Sequence, residues 1–416
     1  MYCICECLLQ RASFDSRFDT ANGTSNLDTH HPSGYSLKAM PFQFPEYTLN
    51  ALTGLRCGDI FGANFEYSPN GPALAQQSLT EQRFLCSVKD CGGEISRYRL
   101  PGLWTDDTQQ GMLLIWCWKQ MVDRNLADPA THPEQVAELF MRICNRMSTE
   151  HLFPGAVKTR GYFGVHRGTG GNFRQVVRDP KQVPVTAGMG AAMRIGPVAT
   201  LLPDETQVAA WVLAVSSRTT SDPWGLAAAI VYALMAHRLS RGLPISGQVL
   251  RPLLPDSWHT NGPEHAEYLV YHSARFLVSR VRDYQMYSLG SLLQMVNEKR
   301  ATVEQGSQDP LPNYTTGYGP TGVLWAYHAV ERELNLAEIC ATEGGGDTDT
   351  IAALCLCLQV LAEGDTSMIP NWILTDSVPL DPYTWHPIST EKLHCRTEIE
   401  ARSALSPLFD ANLFNL

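Results

Sequence analysis

Carboxylates are concentrated in three short segments of the sequence, and their types and spacing could do chemistry. The segments are CGDIFGANFE with Asp59 and Glu66, TDDT with Asp106 and Asp107, and GDTDT with Asp347 and Asp349. Oxygen ligands without histidine or cysteine are what hard divalent cations such as Mg²⁺ prefer. Two such ions about 3.5–4 Å apart would neutralise several carboxylates and leave positions open for a substrate or water. The segments therefore favour a metal-dependent reaction.

Helix capping could also account for the same residues. A helix N-terminus has free N–H groups and a positive dipole end, and both favour a carboxylate. A cap needs one carboxylate or hydroxyl, whereas TDDT and GDTDT each hold two aspartates flanked by threonine. The doubled aspartates favour a metal site, with capping as the means of positioning them.

Other catalytic patterns find no support. The sequence has no CxxC pair and no HxxxH or HxH pair for zinc, no GxxxxGKS/T or GxSxG motif, and no GxGxxG motif behind a strand. A weaker element is TAGMGAAMRIGPV, residues 186–198. Gly188 and Gly190 in this segment would let backbone N–H groups approach a phosphate closely.

Helices must position these clusters, because apolar residues recur at helical spacing along most of the chain after a polar start. Each helical segment opens near Asp, Pro or Thr, and several close near Gly or a basic residue. The segments are residues 105–124, 133–147, 204–219, 222–242, 263–284, 317–335 and 347–364. Alternating strand patterns are scarce. The predicted fold class is therefore all-α, a compact multi-helix bundle in one domain.

The domain boundaries follow composition. Residues 1–46 are predicted to be a flexible N-terminal tail, residues 47–400 the catalytic domain and residues 401–416 a C-terminal tail. Long loops are expected at 68–103, 150–187 and 301–316, and loops of this length are often functional.

Charge and cysteine usage narrow the class of protein. The net charge of −10 and the lack of basic runs disfavour nucleic acid. No apolar stretch reaches the 18 residues of a membrane span. Of the 12 cysteines, Cys57, Cys117, Cys144 and Cys340 lie singly among apolar residues, which predicts buried free thiols in a reducing, cytoplasmic location. The N-terminal Cys3, Cys5 and Cys7 do not form a secretory signal. A monomer is expected.

Together the motifs resemble those of the ADP-ribosylglycohydrolases. The ordered set is GDxxGxxxE, TDDT, GxGxAMRxxP, GY and GGDTDT, and it covers about residues 48–375. TDDT and GGDTDT at this separation are the specific elements. The resemblance implies an all-α, orthogonal multi-helix fold with a binuclear Mg²⁺ cleft, and hydrolysis of the N- or O-glycosidic bond between ADP-ribose and a modified arginine or serine.

The resemblance also implies roles for individual residues. Two Mg²⁺ ions, with Mn²⁺ as the alternative, would be held by Thr105, Asp106, Asp107, Asp347, Asp349 and Thr350. Glu66 or Asp107 would be the catalytic general base toward water. Substrate binding would fall to Gly188, Met189, Gly190 and Ala191 along the diphosphate, and to Tyr318 near the adenosine or the cleft rim. The partner would be ADP-ribose or an ADP-ribosylated protein.

Two departures from the family pattern leave other functions open. Met189 stands where the family usually has asparagine, and Thr220 where it often has histidine. These residues motivate the alternative of a catalytically weak ADP-ribose-binding protein. The insertion within 150–187, with its arginines and aromatics, motivates the alternative of a hydrolase of another ADP-ribosyl or nucleoside derivative.

Overall fold

The computed structural model describes residues 42–66, 68, 70–85, 104–149, 170–262, 265–283, 317–341 and 346–376, together with positions 291, 294, 295 and 298. The C-terminal tail, the loop at 301–316, Cys3, Cys5, Cys7 and nearly all of the predicted N-terminal tail lie outside the described residues.

The described residues form helices joined by turns, and no strand occurs among them. The helices are α1 (Glu46–Gly62), α2 (Gly71–Glu81), α3 (Asp106–Asp123), α4 (Pro133–Thr149), α5 (Gly171–Arg178), α6 (Gly190–Met193), α7 (Gly196–Ala199), α8 (Glu205–Ser216), α9 (Pro223–Leu239), α10 (Gly247–Leu250), a 3₁₀ turn at Arg251–Leu253, α11 (Ser257–Thr260), α12 (Ala266–Asp283), α13 (Gly319–Glu331), α14 (Leu336–Ile339), α15 (Thr348–Glu363) and α16 (Asn371–Asp376). The all-α prediction is confirmed.

Each of the seven predicted helical segments contains a long helix, namely α3, α4, α8, α9, α12, α13 and α15. Two loop predictions were wrong in part, because α2 lies within 68–103 and α5 lies within 150–187. Both helices are short and begin near glycine in Gly- or Pro-containing sequence, so composition alone favoured a loop. Among the described helices, none combines the length and apolar character needed to cross a bilayer.

Helices α1 and α15 approach each other very closely, and glycines make this possible. A Cβ on Gly58 would lie 2.2 Å from the backbone oxygen of Ala352, and one on Gly62 would lie 2.1 Å from that of Thr348. Gly54, one turn earlier, is similarly close to Leu356. The three glycines recur every four residues and form a side-chain-free face on α1. The two backbones therefore meet, and the end of α1 lies beside the start of α15.

Helix α9 (Pro223–Leu239) forms the centre of the bundle. Nearly all of its residues are buried, and it packs against α6, α8, α12, α13 and α15. Asp222 caps its N-terminus by accepting hydrogen bonds from Trp224 N at 2.8 Å and Gly225 N at 3.1 Å. This cap fixes where the preceding residues, including Thr220, leave the core and reach the cleft.

Candidate functional site

A cleft of about 250 Å³ lies where the N-termini of α3, α5, α6 and α15 meet. One wall is acidic, and its carboxylates come from Glu66, Asp106, Asp107, Asp347 and Asp349. Residues of the loop before α6 and of the start of α5 also line the cleft. Two segments about 240 residues apart in sequence are thus brought to one site.

The acidic wall is tightly packed. Each of Glu66, Asp347 and Asp349 offers a carboxylate oxygen within 4.8 Å of those of the other two. Asp107 is 2% exposed, and its Oδ1 has no hydrogen-bond partner in the part of the chain that the structure describes. Buried carboxylate oxygens are rarely left unpaired, because desolvation without compensation is unfavourable. The arrangement is that of a site for a positive charge.

Burial and mutual repulsion raise the pKa values of these acids. Burial, followed by the Asp349 charge, raises the pKa of Asp106 to about 8 and that of Asp59 to about 6. The pKa values of Asp107 and Asp347 are raised well above their ordinary range, again first by burial and then by Asp349. Neutral carboxyls would relieve the repulsion, and so would a bound cation.

Asp59 holds the start of α3 in place. Its two carboxylate oxygens accept hydrogen bonds from Thr105 N at 2.8 and 3.0 Å and from Thr108 N at 3.1 Å. The Thr105 hydroxyl lies 2.8 Å from Asp59 Oδ1 and 3.1 Å from Asp107 Oδ2, and that of Thr108 lies 2.5 Å from Asp59 Oδ2. Asp59 therefore fixes the backbone from which Asp106 and Asp107 project.

Helix capping does not account for the aspartates. The cap of α3 is Thr105, whose side chain accepts from Asp107 N, while Asp106 and Asp107 occupy the first turn. Asp347 is the N-cap residue of α15, yet its side chain makes no capping hydrogen bond. The side chain of Asp349 accepts from Thr350 N at 2.9 Å. The helix starts position these carboxylates and leave them directed at the cleft.

The glycine-rich loop is joined to the acidic wall through Gly317. Met189 N donates to Gly317 O at 2.8 Å, and Gly319 N donates to Ala187 O at 2.7 Å. Gly317 has φ +75°, and a Cβ there would lie 2.7 Å from Asp347 Oδ2. Only glycine fits this position without strain. Gly317 therefore fixes the position of the glycine-rich loop relative to the carboxylates of the acidic wall.

The four predicted substrate-binding residues of the loop, Gly188 to Ala191, all line the cleft. The side chain of Met189 packs inward, since its sulfur would lie 2.3 Å from a Cβ on Gly322. Tyr318 is 3% exposed and is not among the residues that line the cleft. It contributes a backbone bridge to Gly188, and its place near an adenosine stays a prediction.

The remaining predicted residues are also located. Thr350 lines the cleft, whereas Thr105 is 4% exposed behind Asp106 and does not line it. Thr220 lines the cleft, and its hydroxyl donates to Thr186 O at 2.6 Å. At this departure from the family pattern, the side chain thus holds the start of the glycine-rich loop.

The cleft is also lined by residues to which the sequence had assigned no role, among them Gln110, Phe173 and Arg194. Gln110 lies one turn after Asp106 on the same helix face, which is a spacing that predicts contact. Arg194 is a lone cation in the apolar segment AMRIGP. Phe173 is one of several aromatic residues within 150–187, and nothing in its sequence pattern distinguishes it from the others. Of these three residues, only Gln110 and Arg194 therefore had a signal in the sequence.

An all-helical fold whose cleft joins clustered carboxylates to a glycine-rich loop defines the class of this protein. The ADP-ribosylglycohydrolase family model matches residues 45–376, and the chain belongs to that family. A solved structure described as an ADP-ribosylglycohydrolase-related protein complex is similar at 17% identity, with a TM-score of 0.42, over 87% of this chain and 98% of that chain. Comparison with curated proteins gave no match.

Proposed function

We propose that the protein is a Mg²⁺-dependent hydrolase that releases ADP-ribose from modified arginine or serine side chains. Membership of the ADP-ribosylglycohydrolase family supports hydrolysis of an ADP-ribosyl linkage. The observation that carries the metal dependence is the convergence of Glu66, Asp347 and Asp349 within 4.8 Å. Like charges converge this closely in a folded protein when a cation or shared protons compensate them.

The residues of the cleft fit a divalent cation. Every candidate ligand is an oxygen, as Mg²⁺ requires, and Asp107 Oδ1 is buried without a partner among the described residues. The proposed holders of two Mg²⁺ ions, with Mn²⁺ as the alternative, are Thr105, Asp106, Asp107, Asp347, Asp349 and Thr350. When bound, the ions supply neutralisation of the carboxylates and polarisation of the substrate ribose.

The chain's own groups would perform the other parts of the reaction. Glu66 is half-buried at the end of the acidic wall, where a water can reach it. It would accept the proton of the attacking water, with Asp107 as the alternative base. Backbone N–H groups of Gly188 to Ala191 would lie along the diphosphate, as close approach without bulky side chains permits. The carboxylates would stabilise the oxocarbenium-like charge at the ribose.

The test is release of ADP-ribose from arginine- and serine-modified proteins, with Mg²⁺ or with EDTA. Wild type should release ADP-ribose only with the cation, and Glu66→Gln should lower the rate about 10²–10⁴-fold, as for loss of a general base. Glu134→Gln, at an exposed position on α4, is the matched control and should keep the wild-type rate. Equal release in EDTA, or none on either linkage, contradicts the proposal.

A second candidate is an ADP-ribose-binding protein with weak turnover. The observation in its favour is Thr220, whose hydroxyl is engaged with Thr186 O and offers no acid–base group where the family often has histidine. Calorimetry that shows ADP-ribose binding, combined with no release from any modified protein, would favour this candidate. A hydrolase of another ADP-ribosyl or nucleoside derivative would instead appear as turnover of small molecules alone.

The cellular setting is proposed to be cytoplasmic. The cysteines of the described residues are all free and buried, as expected in a reducing compartment. Burial raises the pKa values of Cys117 and Cys355 well above the ordinary range, so these thiols stay protonated and unreactive.

A further inference from the structure

Arg194 is a buried cation on the wall of the cleft, and no part of the proposed mechanism uses it. Its side chain is 2% exposed, and among the described residues it is the one lysine or arginine that lines the cleft. The guanidinium lies 5.6 Å from the ring centre of Phe140 and 5.4 Å from that of Phe173. It also donates to the hydroxyl of Thr219. A buried arginine held from several sides has a fixed geometry.

Gln110 joins this cation to the acidic wall. Arg194 Nη1 donates to Gln110 Oε1 at 2.5 Å, and Gln110 Nε2 donates to Asp106 Oδ2 at 2.7 Å. Gln110 is fully buried. The chain Arg194–Gln110–Asp106 is therefore continuous and almost wholly buried, which strengthens each hydrogen bond in it.

The direction of this chain is set by chemistry. A guanidinium has donors only, so the amide of Gln110 must present its oxygen to Arg194. Its NH₂ group must then face Asp106, which has to accept through Oδ2. The arginine thus selects the amide orientation that suits an ionised Asp106.

We propose that Arg194, acting through Gln110, is a positioning residue that fixes Asp106 so that Oδ1 is the oxygen offered to a divalent cation. This inference rests on the proposed metal-dependent function and adds two residues to it. Hydrogen-bond partners that orient a metal ligand commonly change metal affinity about 10–100-fold when removed. A purely structural arginine would affect the stability of the fold and leave the affinity of the folded protein for the cation unchanged.

The test is Mn²⁺ binding measured by electron paramagnetic resonance on the full chain, with thermal unfolding in EDTA as the measure of the fold. Gln110→Leu removes the link and should weaken Mn²⁺ binding about tenfold. Gln359→Leu is the matched control, because Gln359 is a buried glutamine on α15 whose Nε2 donates to Leu334 O at 2.8 Å. It should lower the unfolding temperature without changing Mn²⁺ affinity.

A double-mutant cycle separates action through Gln110 from independent effects. Arg194→Met should also weaken Mn²⁺ binding, and Arg194→Met combined with Gln110→Leu should bind no more weakly than the poorer single variant. If Arg194→Met does not fold, the comparison of Gln110→Leu with Gln359→Leu remains decisive.

Each outcome has one meaning. Wild-type affinity in Gln110→Leu, equal losses in the two glutamine variants, or additive losses in the cycle would overturn the positioning role. Lack of Mn²⁺ binding by the wild-type protein would overturn the metal-dependent function itself, and the positioning role with it. Weakened binding in Gln110→Leu alone, with non-additive losses in the cycle, supports the inference.

Discussion

At the scale of single residues, the clustered carboxylates that form the binding site also repel one another and lower the stability of the fold. The charge of Asp349 raises the pKa values of Asp59, Asp106, Asp107 and Asp347, after the larger effect of burial. One side chain thus contributes to the repulsion felt by four others. Such repulsion is retained in folded proteins where function needs it.

Replacement of Asp349 by asparagine should stabilise the metal-free protein and abolish its activity. The Asn oxygen can still accept from Thr350 N, while the charge is removed. We expect the free energy of unfolding in EDTA to rise by about 1 kcal/mol, and the stabilisation by Mg²⁺ to disappear. Chemical denaturation with and without Mg²⁺ measures both. A less stable variant in EDTA would contradict the attribution of the raised pKa values to the Asp349 charge.

A substitution at Gly190 tests the role of the glycine-rich loop in ligand binding without disturbing the fold. A Cβ at Gly190 would meet nothing within 4 Å, and the residue lies on the cleft. Gly190→Ala should therefore keep the wild-type unfolding temperature and weaken ADP-ribose binding at least about tenfold, or 1.4 kcal/mol. Calorimetry with ADP-ribose measures the affinity. Unchanged affinity would show that the ligand does not approach this part of the loop.

The types of residue that form the site could be predicted from the sequence. The contacts between these residues could be predicted less well. The aspartates of TDDT and GDTDT all line the cleft, and their doubling was the signal, because a helix start needs only one aspartate for capping. The place of Asp59 behind α3 was not predicted, since an aspartate near glycine has the same sequence pattern whether it binds an ion or a backbone N–H. Only the positions of Thr105 and Thr108 in the structure distinguish an aspartate that binds an ion from one that accepts from backbone N–H groups.

At the scale of elements, the contact of α1 with α15 places Glu66 beside Asp347 and Asp349. The contact depends on Gly54, Gly58 and Gly62, which allow the two backbones to meet. The Thr348 hydroxyl adds a hydrogen bond to Gly62 O at 2.8 Å. The helix pair is therefore both a core contact and the frame of the acidic wall.

A methyl group at the middle glycine should separate the two helices. In Gly58→Ala the new Cβ would lie 2.2 Å from the Ala352 backbone oxygen, which cannot move as a side chain can. We expect a loss of about 2–3 kcal/mol in stability, as for overpacked cores, with weaker Mg²⁺ binding. Thermal unfolding and Mn²⁺ titration measure these effects. Gly190→Ala is the matched control, and equal stability of the two variants would show that the close approach does not limit the packing.

The helices themselves were largely predictable, because each long one has apolar periodicity and a polar start. The pairing of α1 with α15 was not predicted. A glycine every fourth residue indicates close helix packing only when a partner is known, and the partner here is nearly 300 residues away in sequence. Local sequence patterns do not indicate which distant segment a helix will contact.

At the scale of the whole molecule, the raised pKa values predict how stability depends on pH. Burial and Asp349 raise the pKa of Asp106 in the folded protein from 3.8 to about 8, and that of Asp59 from 3.8 to about 6. The folded state thus keeps protons that the unfolded state releases above pH about 4. The contribution of these groups to stability is present below pH about 4 and is lost as the pH rises toward 8.

In EDTA, the unfolding temperature of wild type should therefore fall between pH 5 and 8 more steeply than that of Asp349→Asn. Mg²⁺ should remove most of the difference, because a bound cation replaces the protons as the compensating charge. Thermal unfolding across this pH range, with and without Mg²⁺, provides the measurement. Parallel pH dependence of the two proteins in EDTA would contradict the prediction.

The proposed activity depends on divalent cations bound between the starts of α3 and α15. The most direct measurement is anomalous diffraction from crystals soaked with Mn²⁺. We predict strong anomalous density bordered by Asp106, Asp107, Asp347 and Asp349, and loss of that density in Asp349→Asn. Crystals of wild type with saturating Mn²⁺ and no anomalous density at these carboxylates would contradict the metal-dependent function.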